Sequence, residues 1–190
     1  DRYVTANAAA LFEPLPADLV FCNHVLPGGA VGKATAARFA VKAHGSELEY
    51  SIRGNHDLAE AARAALAQAS SRVTYDPSYR RIPYPNGDVP ANVGVCSDVV
   101  IRAYRAVGGD LQERVHADMT RAFGAYPRIW GLSRPDPNID HRRVPNLETY
   151  LRRRGAELPV TRDPHDWARG DLVTWRLGGS RPHIGVVVGL

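Results

Sequence analysis

The spacing of hydrophobic positions changes twice along the chain, dividing it into a β-like beginning, a helical middle and a β-like end. In the first 56 residues, apolar side chains alternate at Phe39 and Val41 and again at Leu48, Tyr50 and Ile52. The intervening His44-Gly45-Ser46-Glu47 is turn chemistry, so a hairpin is predicted. An earlier strand is predicted over 18–25, stopped by Pro27-Gly28-Gly29. From Asp57 the spacing becomes helical. Asp57 and Glu60 form a capping-box pattern, and Leu58, Ala61, Ala62, Ala65, Leu66 and Ala69 share a face, which predicts a helix over about 57–70. Residues 73–95, rich in Pro, Gly, Asn and Tyr, read as an ordered loop that delivers Cys96. Helical spacing resumes at Val99, Val100, Ala103, Tyr104 and Val107 and stops at Gly108-Gly109. Asp110 is placed to cap a second helix through about Phe123, with Leu111, Val115, Met119 and Phe123 four apart. Pro127, Pro135, Pro137 and Pro145 interrupt regular structure, and a short helix over 146–154 closes at Gly155. Strands over 170–175 and 183–189 then flank a Gly-rich turn as antiparallel neighbours. This divides the chain into an N-terminal β region, 1–56, whose role the pattern leaves open, and a main domain, 57–190.

Composition narrows the class. With 190 residues, 44% hydrophobic and 23% charged, the chain has the profile of a globular domain with one core. No stretch approaches the roughly 18 consecutive apolar residues of a membrane helix. The net charge of +4 suits an anionic polymer or surface without calling for nucleic acid. The start at Asp1, with neither Met nor an apolar leader, reads as a trimmed form and leaves export unread. Two cysteines, Cys22 and Cys96, are too few for a disulfide framework or a four-thiolate zinc site.

Three residues carry candidate chemistry. Cys96 sits where a loop meets a helix start, where backbone N–H groups and the positive helix end stabilise a thiolate; a lowered thiol pKa is expected. Asp98, in the same turn, opposes the thiolate by like charge, so a base is still required. His183 is the best candidate because it opens a strand after a turn and is followed by Gly185, which leaves backbone room beside the imidazole. Each has a plain alternative: a Cys starting a helix is commonly core filler, and a His opening a strand is commonly structural. His141, Arg142 and Arg143 lie in the proline-rich loop, either presented to an anionic ligand or anchoring the loop on Asp136, Asp140 or Asp163. The tryptophans Trp130, Trp167 and Trp175, with Tyr75, Tyr79 and Tyr84, are expected to fill core and groove walls, Tyr75 also lining a cleft.

Other motifs are set aside. Residues 28–35 resemble a phosphate-binding loop, but Pro27 stands where its first glycine belongs and Ala34 follows Lys33, so the Mg²⁺-binding hydroxyl is absent. Gly54-Asn55-His56-Asp57 echoes a metallophosphoesterase block without an upstream partner, and Asp57 is better explained as a helix cap. Cys22 and His24 share a strand face and offer a second thiol–imidazole pair or two ligands, with core burial of Cys22 favoured. A Cys22–Cys96 disulfide would abolish the proposed nucleophile. No metal and no cofactor is expected.

The blocks Trp167-Ala168-Arg169-Gly170-Asp171-Leu172-Val173-Thr174-Trp175 and Pro182-His183-Ile184-Gly185-Val186-Val187, following a Cys at a helix start, resemble papain-like NlpC peptidases. More closely, Tyr75-Asp76-Pro77-Ser78-Tyr79, Gly87-Asp88-Val89-Pro90, Gly94-Val95-Cys96-Ser97-Asp98-Val99-Val100 and residues 135–147 resemble the bacterial domain-of-unknown-function 1287 family, from about Ala59 to Val188. The resemblance implies an α+β, papain-like fold, a small antiparallel sheet packed on the Cys96 helix, with Cys96 as nucleophile and His183 as general base. Relatives in the wider clan cut amide bonds in cell-wall peptides. In such enzymes a third polar residue from the next strand orients the imidazole, and this sequence stops at Leu190. The stretch Leu19-Val20-Phe21-Cys22-Asn23-His24-Val25 is loosely similar to that missing strand. A circularly permuted order, with Asn23 or His24 as orienting residue, is therefore entertained beside a strand unrelated to the site. The resulting expectation is a cysteine amidase or peptidase acting on peptidoglycan peptides in the periplasm or outside the cell. Tyr75, Asp98, His141 and Arg142 are its candidate substrate contacts, and an inhibitor protein is its expected companion if it serves as an antibacterial toxin. The alternative is a non-catalytic module that binds wall fragments or anionic ligands in the same groove.

Overall fold

The computed structural model describes residues 42–43, 55–159, 164–177 and 180–188. Four helices and six short strands form an α+β fold: β1 Lys42–Ala43, α1 Asn55–Gln68, β2 Thr74–Tyr75, β3 Val93–Gly94, α2 Cys96–Ala106, α3 Leu111–Ala122, α4 Val144–Arg153, β4 Glu157–Leu158, β5 Leu172–Leu177 and β6 Arg181–Val186.

Helix α2 is central. Val99, Val100, Ile101, Ala103 and Tyr104 are all buried, so it is covered on nearly every side, as a helix with apolar residues beyond a single stripe must be. Leu58, Ala62 and Ala65 of α1 pack in the same core, and the Gln68 side chain donates to the Val99 carbonyl at 3.1 Å, pinning the end of α1 to α2. Gly108 ends α2 at φ +84, a left-handed conformation that glycine adopts without steric cost. The Asp110 carboxylate accepts from the Gln112 N–H at 3.0 Å, the cap that opens α3. Leu111, Val115 and Met119 carry α3 into the core, and Val144, Leu147, Tyr150 and Leu151 do so for α4.

The sheet runs β4-β1-β5-β6, antiparallel throughout, and β2 pairs parallel with β3. In the β5–β6 register Leu172 faces Val186 and Trp175 faces His183. Strand alternation therefore sets Leu172, Thr174, Ile184 and Val186 on one face, which joins the α2 core, and Val173, Trp175, His183 and Gly185 on the other.

Several boundaries differ from the sequence pattern. Helix α1 begins at Asn55, so Asp57 lies within its first turn and does not cap it. Helix α4 begins at Val144 because Pro145 is tolerated in a first turn, where its missing N–H is not needed. Strand β6 begins at Arg181, two residues before the strand predicted from His183. Of the predicted hairpin near residues 39–52 only β1 is described. It pairs with β5 on the side away from β6, and with β4, a strand the pattern did not reveal. The predicted strand over 18–25, with Cys22, Asn23 and His24, and the glycine-rich residues 28–35 lie outside the described residues.

Candidate active site

Two loops bring the site together. The loop before Cys96 is bolted to the helices below it. The Gln112 side chain accepts from the Gly87 N–H at 2.7 Å and donates to the carbonyls of Pro83 and Pro137 at 2.9 and 3.0 Å. Gly87 has no room for a Cβ, which would lie 1.8 Å from the Pro83 oxygen. Arg102 holds Asp88 at 2.8 Å and reaches the carbonyl of Val93. The loop thus arrives at β3 in a fixed position, and Cys96 follows two residues after the Tyr75–Gly94 pair.

The proline-rich loop is anchored as firmly. Arg142, 3% exposed at its side chain, forms a two-pronged ion pair with Asp98 at 2.8 and 2.9 Å and donates to the carbonyls of Ser78 and Asp76. The other side of Asp98 accepts from the Val95 N–H at 2.6 Å, and the Ser97 hydroxyl donates to the Arg142 carbonyl at 2.6 Å. Asp98 and Arg142 are therefore buried and committed to each other. The anchoring alternative describes Arg142, with Asp98 as partner rather than Asp136, Asp140 or Asp163, and contact of either with substrate gives way to it. His141 is also buried. Burial and the neighbouring Arg142 push its pKa down to about 4, leaving the imidazole neutral, so the expected basic group facing a ligand is absent there. Arg143 pairs with Asp140 at 3.1 Å and lies over the Trp130 ring at 4.3 Å.

Cys96 opens α2 with a free thiol, 6% exposed. Its sulfur accepts backbone N–H groups from Ile184, from Ser97 and from its own residue. The Ile184 contact locates it. Val187 exchanges hydrogen bonds with residues 170 and 171, at the start of β5, so its backbone groups point toward β5. Alternation along an antiparallel strand then turns the Ile184 N–H away from β5, to the edge of β6 that is open among the described residues. The sulfur occupies the place of a next strand's carbonyl, one residue along from His183. His183 is 3% exposed, and its ring lies 4.7 Å from that of Trp175, the cross-strand partner.

The expected lowering of the Cys96 pKa is not found. Removal from water pushes the thiol up to about 11 and Asp98 adds to this, while the three N–H groups oppose it without prevailing. At neutral pH the resting thiol keeps its proton.

Tyr75 stands at the mouth of the site. It is 49% exposed, and its hydroxyl pKa is raised by partial burial and by Cys96, against the pull of Arg181 and Arg142. Tyr79 and Tyr84 are likewise exposed, at 55% and 46%, rather than filling core, whereas Trp167 and Trp175 are buried. Arg181 is a residue that the sequence pattern missed. It lies two positions before His183, hence on the same face of β6; the signal was present but fell in a segment read as turn. Asn23 and His24 lie outside the described residues. Among the described residues no group of three or more His, Cys, Asp or Glu is placed to hold a metal, and no helix is long and apolar enough to cross a membrane.

The arrangement defines an α+β protein with a buried thiol at the start of its central helix, held against the edge of a sheet beside a histidine. Residues 62–189 match the family model described as a domain of unknown function, DUF1287, and the chain belongs to that family. It is also 52% identical over 136 residues to "Uncharacterized protein YijF" of Escherichia coli (strain K12). That match covers 72% of this chain and 66% of the relative, so the chain spans just under two thirds of the relative's length. No solved structure matches.

Proposed function

We propose that this protein is a cysteine hydrolase of papain-like, NlpC type that cleaves an amide bond in peptidoglycan peptides, acting in the periplasm or outside the cell. The observation that supports it best is the hydrogen bond from the Ile184 N–H to the Cys96 sulfur, which brings the thiol beside the residue that follows His183. The Ile184 nitrogen is two bonds from the His183 Cα, so the imidazole is within a side-chain rotation of the sulfur.

Because the resting thiol is neutral, reaction begins with proton transfer from sulfur to the His183 imidazole as the sulfur attacks the carbonyl carbon. The N–H groups of Cys96 and Ser97, in the helix's first turn, face the developing oxyanion. The imidazolium returns the proton to the leaving amine and a thioester remains. Water, deprotonated by His183, then releases the carboxylic acid and restores the thiol.

The test is hydrolysis of purified cell wall. Wild-type protein should release soluble muropeptides, and Cys96→Ala, with an unchanged circular dichroism spectrum, should release none; equal activity in the two ends this reading. If the enzyme is delivered against other bacteria, an inhibitor protein accompanies it.

The burial and raised pKa of Cys96 favour a second reading, a non-catalytic module that holds a wall fragment or anionic ligand with Cys96 merely packed. A packed thiol alkylates slowly and indifferently to His183→Ala, whereas a nucleophile alkylates fast and loses that rate in the variant.

A further inference from the structure

Around Cys96 the arginines divide into two groups. Arg142, Arg102 and Arg105 are held by Asp98, Asp88 and Asp110 and are partly or wholly buried. Their charge is already answered. Arg181 differs from all three: it is exposed, it opens β6, and among the described residues it has no ion-pair partner. Alternation along the strand puts it on the His183 face, about 7 Å further along the strand. Across the opening stands Tyr75, fixed by its pairing with Gly94, half exposed, and close enough to feel the charges of both Cys96 and Arg181.

We infer that Arg181, with the Tyr75 hydroxyl, forms a carboxylate-binding subsite beside Cys96, so that the substrate is an acidic peptide with a free carboxylate next to the scissile amide. A guanidinium offers paired N–H donors that match a carboxylate, and the phenol adds one more donor from the opposite wall. Partial exclusion of water at the mouth makes such a charge-assisted contact stronger than one on an open surface. The inference rests on the reading of Cys96 as a reactive thiol and adds to it the charge of what that thiol meets.

The experiment uses two thiol reagents of nearly equal size, iodoacetate, an anion, and iodoacetamide, which is neutral. Rates at Cys96 are followed by peptide mass spectrometry on the native chain, with Cys22 of the same molecule as internal reference. Arg181→Gln should lower the iodoacetate-to-iodoacetamide rate ratio at Cys96 by about tenfold, the size of one charge-assisted hydrogen bond, and leave the ratio at Cys22 unmoved. Tyr75→Phe should lower it less, and added salt should shrink the wild-type preference. A ratio at Cys96 that Arg181→Gln does not change, with both reagents still reacting there, overturns the carboxylate subsite and leaves the hydrolase reading standing. Failure of both reagents to react at Cys96 faster than in urea-unfolded chain overturns the reactive thiol, and the subsite with it.

Discussion

Two residues apart in the first turn of α2 stand Asp98 and Cys96, and their surroundings are built in opposite ways. Asp98 meets a guanidinium with both oxygens and a backbone N–H besides. Cys96 meets backbone N–H groups and a packed wall, with no cation in contact among those contacts. Both are buried, so burial alone does not separate a structural group from a reactive one. What separates them is whether charge has been answered. The Asp98–Arg142 pair locks the proline-rich loop against the helix start, and this rigidity holds the neighbouring sulfur at the edge of β6. A fully satisfied pair gives position, and an incompletely satisfied thiol beside it is left free to exchange a proton.

The largest effect that sharpens this contrast falls on the base. If His183 takes the Cys96 proton, His183→Ala should slow hydrolysis by roughly 10²- to 10⁴-fold. It should also shift iodoacetamide alkylation of Cys96 to the high pH of an unassisted, buried thiol, near 11. A pH profile of alkylation identical in wild type and variant would remove His183 from the reaction.

On the other side of the contrast, Asp98→Ala leaves the Arg142 charge buried with nothing to answer it. Removing one member of a buried pair costs about 3 to 5 kcal/mol. A urea denaturation curve should show the midpoint falling steeply, and Arg142→Lys should not restore the two-pronged geometry. A loss below about 1 kcal/mol for Asp98→Ala would mean that the pair does not hold the loop.

A third test uses protons instead of deletion. His141 is buried beside the clamp and its pKa is depressed from 6.5 to about 4. In the unfolded chain the imidazole takes up a proton as pH falls through 6.5, whereas in the fold it resists until about 4. The fold therefore keeps its full stability above pH 6.5 and loses about 3 kcal/mol across that window. His141→Asn should flatten the decline between pH 6.5 and 4 while leaving the steeper carboxylate-driven loss below it. Equal slopes for the two proteins would show that His141 is solvated in the native state.

Much of this was legible from spacing. The helix that starts at Cys96, the Asp110 cap and the β5–β6 hairpin follow from apolar periodicity and from turn residues, both of which act locally. The Cys96–His183 proximity was legible only through family resemblance, because it joins residues far apart in the chain. Three features were misread for physical reasons. The helix-end effect on a thiol is weaker than complete desolvation, so the pKa moves up. Arg142 and His141 read as presented groups because a proline-rich loop is ordinarily at the surface, yet this one is folded under by Asp98. Arg181 was hidden because a Gly-rich turn gives no sign of where the strand after it begins.

The smallest expected effect repeats the Asp98–Arg142 chemistry nearer to water. Arg153 of α4 holds Asp118 of α3 at 2.7 and 3.3 Å, again with two prongs, but its side chain is 35% exposed, against 3% for Arg142. The Tyr126 hydroxyl donates to the same carboxylate at 2.7 Å, so Asp118 keeps a partner if the arginine is lost. Arg153, with Tyr126, holds the Asp118 carboxyl below its ordinary pKa, and that contribution is present above pH 4 and fades as pH falls through the depressed value. Exposure and the remaining partner both reduce the cost, so Arg153→Gln should destabilise by about 1 kcal/mol or less at neutral pH. The difference between the variant and wild type should shrink further in acid. Were Arg153→Gln to cost as much as Asp98→Ala, burial would not be what makes the clamp at the active-site helix strong. The contrast between answered and unanswered charge would then have to be drawn from geometry alone.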